Sequence, residues 1–553
     1  MRLPVVSCTL AAVIACIATG CESPSPHAAA AAPPPALFET FGTLHRDTGS
    51  ASPAAQRYFD QGLRLLYGFN HDAAGRAFAE AARLDPDCAI CVWGQAVVLG
   101  PNINMPMGPD VTKEATALAQ RAARLSDHAR PADRALIAAL QARYADPAPQ
   151  DRKPLDRAYA DAMAKAARDF PADDDIATLH AESLMDLTPW AYWSDDGKTP
   201  GESTPAILAE LERVLARNPR HIGAMHYYIH ATEASSTPER ALAYADTLAQ
   251  QAPGSGHLVH MPAHTYIRVG RYHDATMTNF AASTADAAFL AVCRGSNGVY
   301  PLGYVPHNWH FATMSAGLSG SATLALRAAD QTAQRADRKL MGTDTPMQAM
   351  QLFVVAPILT QVRFGRWNDI LAQSAPTSDL PYPAAMWRFA RGMAHARTGD
   401  MAAARADLAA LRHIAGDPAL AKTHFTNGAD ALVAVAVPML EGELLRTQGD
   451  LKNAVAALRA AVAAEDKLLY DEPANWPLPA RPYLGATLLE AGDPRAAAVV
   501  YREDLRTYPD NGWSLFGLAL AQKRLGDPAA TDTERRYREA WQWADAPLTA
   551  SRY

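Results

Sequence analysis

Two pairs of histidines are the residues of this chain whose type and spacing best suit chemistry. His226 and His230 are four residues apart, as are His260 and His264, and the pairs are 34 residues apart because 260 − 226 and 264 − 230 both equal 34. Residues four apart lie on one face of an α-helix. Neutral imidazole is a common ligand of zinc, copper and iron. The spacing therefore predicts a transition-metal site between two equivalent, neighbouring helices.

A third helix is predicted to join the first two. A glycine and an alanine follow His260 at ten and fifteen residues, and the same two residue types follow His310 at the same distances. His310 then occupies the position of His260 in a third equivalent helix, with Met314 one turn later. The sequence thus predicts six metal ligands: His226, His230, His260, His264, His310 and Met314.

Three further residues are candidates for a catalytic or supporting role. His257 and His307 lie one turn before His260 and His310, where they can complete the ligand set or shuttle protons. Glu233, three residues after His230, can act as a base or orient a ligand. Met314 and the shortage of nearby carboxylates favour copper, with zinc as the other candidate. Copper would imply oxidation and zinc hydrolysis, and whether the chain is an enzyme stays open.

Two other interpretations of the histidines remain open. The imidazoles and Arg268 can form a polar groove that grips the carboxylate of an acidic or peptide ligand without a metal, with Tyr304 and Trp309 beside it. The histidines can also form a structural hydrogen-bond network that successive repeats have duplicated. Metal content distinguishes the first interpretation from the other two.

Length and composition limit the fold and the classes of partner. The chain has 553 residues, which is too long for one compact core and predicts either several domains or a solenoid. Hydrophobic residues make up 49% of it, and many of them are alanine, which favours packed helices. The formal net charge of −7 gives no basic surface for nucleic acid. The sequence contains no phosphate-binding loop, nucleophile elbow, haem-attachment motif or dinucleotide fingerprint.

The chain resembles tetratricopeptide repeat proteins in two stretches of small and aromatic residues. The first is Gly62, Ala74, Phe78, Ala81 and Pro86, and the second is Gly485, Gly492, Ala497, Tyr501 and Pro509. The 34-residue histidine spacing equals the period of that repeat. The resemblance implies an all-α, helix-turn-helix superhelix (an α-solenoid), with halves at residues 54–340 and 341–553. It also implies a groove lined by the first helix of each repeat, suited to a peptide, protein or small-molecule ligand.

Three segments rich in proline, glycine and aromatic residues interrupt the repeats. They are residues 186–204, 290–306 and 471–479. Long loops on a solenoid often cross its groove and shape a pocket, so we expect these segments to lie near the histidines.

The N-terminus is typical of an exported bacterial lipoprotein. Arg2 precedes an apolar run that ends in Ala18-Thr19-Gly20-Cys21, which resembles a lipobox. We therefore expect a signal peptide over residues 1–20, a lipid on Cys21 and a tether over residues 21–53. The lipid would be the chain's contact with a membrane, which by analogy is the outer membrane, on its periplasmic side.

Cysteine usage agrees with export. Cys88 and Cys91 lie at a predicted helix start, and in an oxidising compartment they are expected to form a local disulfide. A redox-active pair is the alternative, because a helix N-terminus lowers the pKa of a thiol.

Overall fold

In this computed structural model, the described residues are 34–293, 298–342, 345, 347–376 and 379–553. The predicted signal peptide, the lipidation site at Cys21 and the first part of the predicted tether lie outside them. Residues Ala36–Tyr553 form one compact unit. Among the described residues, no helix combines the length and the apolar character needed to cross a bilayer.

The described residues form α-helices and no β-strand, apart from three isolated bridges. The helices before the middle of the chain are Pro53–Tyr67 (α1), His71–Leu84 (α2), Ala89–Val97 (α3), Thr112–Leu125 (α4), Pro131–Leu140 (α5), Lys153–Asp169 (α6), Asp174–Met185 (α7), Thr204–Arg217 (α8), Ile222–Glu233 (α9), Leu242–Gln251 (α10), Gly256–His260 (α11), Pro262–Arg268 (α12) and Tyr272–Val292 (α13). The remaining helices are Val305–Leu318 (α14), Ala322–Arg335 (α15), Met350–Arg363 (α16), Trp367–Ala372 (α17), Pro381–Thr398 (α18), Met401–Ala415 (α19), Ala429–Thr447 (α20), Leu451–Glu465 (α21), Ala480–Glu490 (α22), Pro494–Thr507 (α23), Gly512–Leu525 (α24) and Ala530–Ala540 (α25).

Most helices pack against the helices that precede and follow them in the chain. Such nearest-neighbour packing is the organisation of an α-solenoid. The predicted all-α fold of stacked helix hairpins is therefore confirmed.

Small residues let neighbouring helices approach closely at the positions predicted from the repeat pattern. The ring of Phe78 on α2 lies between Gly62 on α1 and Gly94 on α3, and a Cβ added to either glycine would come within 2.6 Å of it. Because real side-chain contacts do not reach that distance, both glycines are required for this packing.

The C-terminal repeats use the same device and contact the middle of the chain. Tyr501 lies between two glycines in the way that Phe78 does. The hydroxyl of Tyr272 donates to the carbonyl of Pro509 at 2.7 Å, and the indole N–H of Trp513 donates to the carbonyl of Gly317 at 3.0 Å. These bonds join α13 and α14 to the region around α24.

The buried hydrophobic residues form two large clusters within the unit. One extends from Phe41 to Leu318 and the other from Met341 to Ala521. The proposed division of the solenoid into halves near residue 340 stays a prediction.

The prediction of a tether over residues 21–53 is wrong for residues 36–53, which pack onto the helical unit. Phe41 is buried beside Phe289 of α13. Arg46 is buried and pairs with carboxylates at the starts of α5 and α7, at 2.7 Å from Asp133 and 2.9 Å from Asp173. Composition gave no sign of these contacts, because the partners lie 87 to 248 residues away in the sequence.

A disulfide joins Cys88 and Cys91 at the start of α3. Both cysteines are buried in the first hydrophobic cluster.

Candidate functional site

Four short helices bring the histidines together. Helix α9 carries His226 and His230, α11 carries His257 and His260, α12 carries His264, and α14 carries His307. Helices α11 and α12 are separated only by Met261, where Pro262 supplies no backbone N–H. His260 and His264 therefore still lie one helical turn apart on the same face.

The first histidine triad consists of His226, His230 and His257, all of them buried. One ring nitrogen from each lies within 4.8 Å of the others. Nε2 of His226 and Nε2 of His257 are 3.1 Å apart, and Nδ1 of His226 lies 2.7 Å from the carbonyl oxygen of Tyr67. The buried Nε2 of His230 has no hydrogen-bond partner.

The second histidine triad consists of His260, His264 and His307. Nε2 of His260 lies 2.8 Å from Nε2 of His264 and 3.2 Å from Nε2 of His307. Nδ1 of His260 lies 2.6 Å from the amide oxygen of Asn279, whose own amide nitrogen donates to the carbonyl of Ala275 at 2.7 Å. The second bond fixes the orientation of the Asn279 amide.

One carboxylate links the two triads. Glu233 is fully buried, with Oε1 at 2.8 Å from Nδ1 of His230 and Oε2 at 2.5 Å from Nδ1 of His264. It thus orients one imidazole of each triad. His230, Glu233 and His264 also form a third group compact enough to hold an ion.

The acceptors around the second triad determine where its protons lie. The Asn279 oxygen and the Glu233 carboxylate accept hydrogen bonds, so Nδ1 of His260 and Nδ1 of His264 must donate. In neutral rings both Nε2 atoms then carry lone pairs, and these atoms are only 2.8 Å apart. Two lone pairs at that distance repel unless a metal cation lies between them, or unless a proton on one Nε2, which makes that ring an imidazolium, is donated to the other.

Burial favours the neutral form of four of the imidazoles. It lowers the pKa of His226, His257 and His260 well below the ordinary value, and the neighbouring imidazoles lower it further. Burial also lowers the pKa of His307, to about 3. Although burial by itself would raise the pKa of Glu233, His264 and His230 lower it to about 2. The cluster therefore combines neutral nitrogen donors at His226, His257, His260 and His307 with the buried carboxylate of Glu233.

His310 and Met314 do not join these triads, contrary to the prediction. Neighbouring helices are staggered by three residues, so that His226 meets His257 rather than His260, and His260 meets His307 rather than His310. By the same stagger His310 faces the next helix, where its ring lies 5.4 Å from that of Phe353 on α16.

The three predicted groove residues lie in different places. The ring of Tyr304 is 4.9 Å from that of His257, and its hydroxyl accepts a hydrogen bond from Asn104. Trp309 packs instead against Phe280, 5.1 Å away between ring centres, and so lies away from the triads. Arg268 lines a cavity beside the second triad.

Other residues enclose the triads from elements that the histidine pattern does not reveal. The ring of Phe69 lies 4.5 Å from His226, and that of Trp190 lies 5.2 Å from His230. Glu472 comes from the far end of the chain, with Oε2 at 3.8 Å from Nδ1 of His264. Trp190 and Glu472 belong to two of the loops expected near the histidines, whereas Phe69 had no signal in the sequence.

No family model matches the chain, and no curated protein matches it. It is similar to three solved structures at low identity. These are the human IFIT1 dimer with m7Gppp-AAAA (12% identity, 82% of this chain and 90% of that chain, TM-score 0.33), the APC/C hetero-tetramer Cut9–Hcn1 (13%, 89% and 76%, 0.29) and the TPR domain of P58(IPK) (14%, 85% and 98%, 0.22).

Proposed function

We propose that the chain binds transition-metal ions at the two histidine triads, one ion in each. The observation that carries this proposal is the 2.8 Å contact between Nε2 of His260 and Nε2 of His264, whose Nδ1 atoms both donate elsewhere. A metal ion between the two lone pairs removes their repulsion. Hydrogen bonds from the other nitrogen to carboxylate or carbonyl groups are typical of metal-bound histidine.

The separations within the triads suit a metal ion. Nitrogen atoms bound tetrahedrally to zinc at about 2.0 to 2.1 Å lie about 3.3 Å from each other. The Nε2 atoms of His260 and His307 are 3.2 Å apart, and those of His226 and His257 are 3.1 Å apart. These two pairs are close to the separation in a bound site, whereas the Nε2 atoms of His260 and His264, 2.8 Å apart, would have to separate by about half an ångström.

The donors of the two triads are imidazole nitrogens, which suit copper and zinc. Met314 belongs to neither triad, although it lines the cavity beside the second one together with Arg268, so the triads themselves do not favour copper over zinc. Glu233 would orient ligands of both ions and neutralise part of their charge. A fourth position at each ion would be open to water or substrate, as in catalytic metal sites.

Elemental analysis of the untagged chain, exported to the periplasm, tests the proposal. The wild type is expected to hold two equivalents of metal after incubation with zinc or copper and dialysis. His260→Asn with His264→Asn, and separately His226→Asn with His230→Asn, should each retain about one. A matched control, His128→Asn with His413→Asn, changes two exposed histidines and should retain two. Wild-type protein that folds but holds neither metal would contradict the proposal.

The stacked helix hairpins also favour a second function as a scaffold for a protein or peptide partner, because solenoids present extended binding surfaces. This function needs no metal. A partner that stays bound after treatment with a chelator would support it, whereas a partner released by the chelator would make the metal part of the interface.

We also propose export and lipid attachment at Cys21. The apolar run before Cys21 supports this, and so does the Cys88–Cys91 disulfide, which is typical of oxidising compartments. Mass spectrometry of the mature N-terminus tests it. A diacylated Cys21 is expected in the wild type and absent from Cys21→Ser, and an unlipidated wild-type N-terminus would contradict the proposal.

A further inference from the structure

A polar cavity of about 540 Å³ lies beside the second triad. It is enclosed by the end of α12, the loop after α21 and the end of α23. Its volume is in the range of pockets that hold small molecules. The residues that decide its chemistry are Arg268, Tyr470, Glu472, Asp466, Arg481 and Asp504.

Arg268 gives the cavity a cation that lacks a direct counter-ion. Its Nη2 donates to the carbonyl of Ser235 at 3.3 Å, and its guanidinium lies 5.3 Å from the ring centre of Tyr470. Its Nε is buried and has no hydrogen-bond partner. Within the described residues, no carboxylate lies at ion-pair distance from this guanidinium.

Glu472 gives the same cavity a buried carboxyl group with an unused oxygen. Burial and the charge of Glu233 raise the pKa of this carboxyl well above the ordinary value, and a cationic ligand group beside it would favour its ionised form. The hydroxyl of Tyr470 donates to its Oε1, while its Oε2 is buried without a hydrogen-bond partner. The side chain is only 6% exposed. Tyr470 therefore contacts both charged groups, the guanidinium with its ring and the carboxylate with its hydroxyl.

Three other charged groups of the wall already have partners. Arg481 pairs with Asp466 at 2.7 Å, and Asp504 accepts hydrogen bonds from Ser514 and Asn511. The buried Nε of Arg481, like that of Arg268, has no hydrogen-bond partner, but of these two arginines only Arg268 also lacks a counter-ion among the described residues. The unmatched pair of groups is therefore the guanidinium of Arg268 and Oε2 of Glu472. Buried charged groups without partners destabilise a fold, so a ligand that supplies both partners would bind favourably.

We infer that this cavity binds a small zwitterion, an amino acid or short peptide, with its carboxylate on Arg268 and its ammonium group on Glu472. Charge-assisted bonds of this kind are the strong hydrogen bonds of proteins. The inference goes beyond the metal function and does not depend on it, because neither bond involves a histidine.

Calorimetric titration of the full chain with alanine, dialanine and trialanine tests the inference, since the three probes place the two charges at increasing distances. At least one should bind with one-to-one stoichiometry. Amidating its carboxylate or acetylating its amine should each weaken binding about tenfold or more. These blocked probes act on the unmodified chain, so the test does not depend on any variant folding. Failure of all three probes to bind, or equal binding of the blocked forms, would overturn the inference.

Two substitutions test which residue binds the ligand's carboxylate and which binds its ammonium group. Arg268→Gln should weaken binding of the zwitterion about tenfold, and amidating the ligand should then cause no further loss of affinity. Glu472→Gln should also weaken binding about tenfold, and acetylating the ligand should then cause no further loss. Arg271→Gln and Glu441→Gln make the same changes in partly exposed ion pairs and should leave binding unchanged. If a blocked ligand binds the matching variant more weakly than the unblocked ligand does, the two losses are independent and the assigned contacts are wrong.

The titrations are carried out on both metal-free and zinc-loaded protein. Zwitterion binding by a chain that takes up neither zinc nor copper would overturn the metal function alone and support this inference. Zinc uptake at two equivalents without binding of any probe would overturn this inference alone.

Discussion

Nε2 of His260 lies 2.8 Å from Nε2 of His264, while the Nδ1 atoms of the same rings face the Asn279 oxygen and the Glu233 carboxylate. Every proton of the neutral rings is thus committed away from this contact. The two lone pairs that then face each other are the basis of the proposed metal site. Buried polar groups from four helices, α9, α11, α12 and α13, take part in this arrangement.

Zinc is expected to raise the unfolding temperature of the wild-type chain. An ion that binds the folded state at a hundred times its dissociation constant adds about 2.7 kcal/mol to the free energy of unfolding. Scanning calorimetry with and without a chelator measures the effect. The variant with His260→Asn and His264→Asn should lose about half of the shift, because it retains the first triad.

The double substitution of the exposed residues His128 and His413 is the control for this measurement. It should keep the full zinc-induced shift, because neither residue belongs to a triad. An equal shift in all three proteins would mean that zinc acts elsewhere on the chain.

Glu233→Gln should weaken metal binding without removing it. An amide oxygen can accept from His230 or from His264, but the amide nitrogen then faces the Nδ1 proton of the other ring. One imidazole would lose its orientation, and loss of such a partner typically weakens metal binding about 10- to 100-fold. Competition with a chelator of known affinity measures the change. Glu239→Gln, in the exposed segment after α9, should have no effect, and unchanged affinity in Glu233→Gln would show that the carboxylate does not support the site.

The sequence was sufficient to predict the helical repeat and four of the six triad histidines as ligands. The 34-residue spacing records which residues are equivalent in successive helices, and His226 and His260 do lie on adjacent helices. It does not record how far those helices slide along each other. The three-residue stagger depends on packing between repeats, and it replaces His310 by His307 beside His260.

Supporting residues were harder to predict than ligands. Asn279 lies on α13 and Glu472 in a loop that follows α21, so neither shares the histidine repeat. Their contacts arise because later helices return to the middle of the chain. A pattern in one sequence identifies positions that repeat, whereas these partners occur once.

His310 is expected to make the chain sensitive to acid through burial rather than through metal. Burial lowers the pKa of His310 to about 4 from the ordinary 6.5. Between these values the unfolded chain takes up a proton that the folded chain does not, so the free energy of unfolding falls as the pH falls. At pH 5 the loss due to this ring is about 2 kcal/mol. Urea unfolding of metal-free wild type and His310→Gln at pH 7 and pH 5 measures it.

The variant should therefore lose about 2 kcal/mol less than the wild type between the two pH values. The buried triad histidines also lower the free energy of unfolding as the pH falls. Because both proteins contain them, their effect cancels when the two are compared. His128→Gln, at an exposed position, should show the same pH dependence as the wild type. Equal pH dependences of the free energy of unfolding for wild type and His310→Gln would mean that folding does not lower the pKa of this ring.

Arg46→Met should destabilise the folded chain strongly, because residues 36–53 belong to the helical unit. The Arg46 side chain is only 5% exposed and lies within 3.3 Å of three carboxylates, those of Asp133, Asp173 and Asp175. Removing one partner of a buried ion pair leaves uncompensated charge and typically costs about 3 to 5 kcal/mol. Urea unfolding at pH 7 measures the change. Arg366→Met alters a pair with Asp369 in which both side chains are about half exposed, and it should cost much less, so equal stability of the two variants would mean that residues 36–53 detach from the unit in solution.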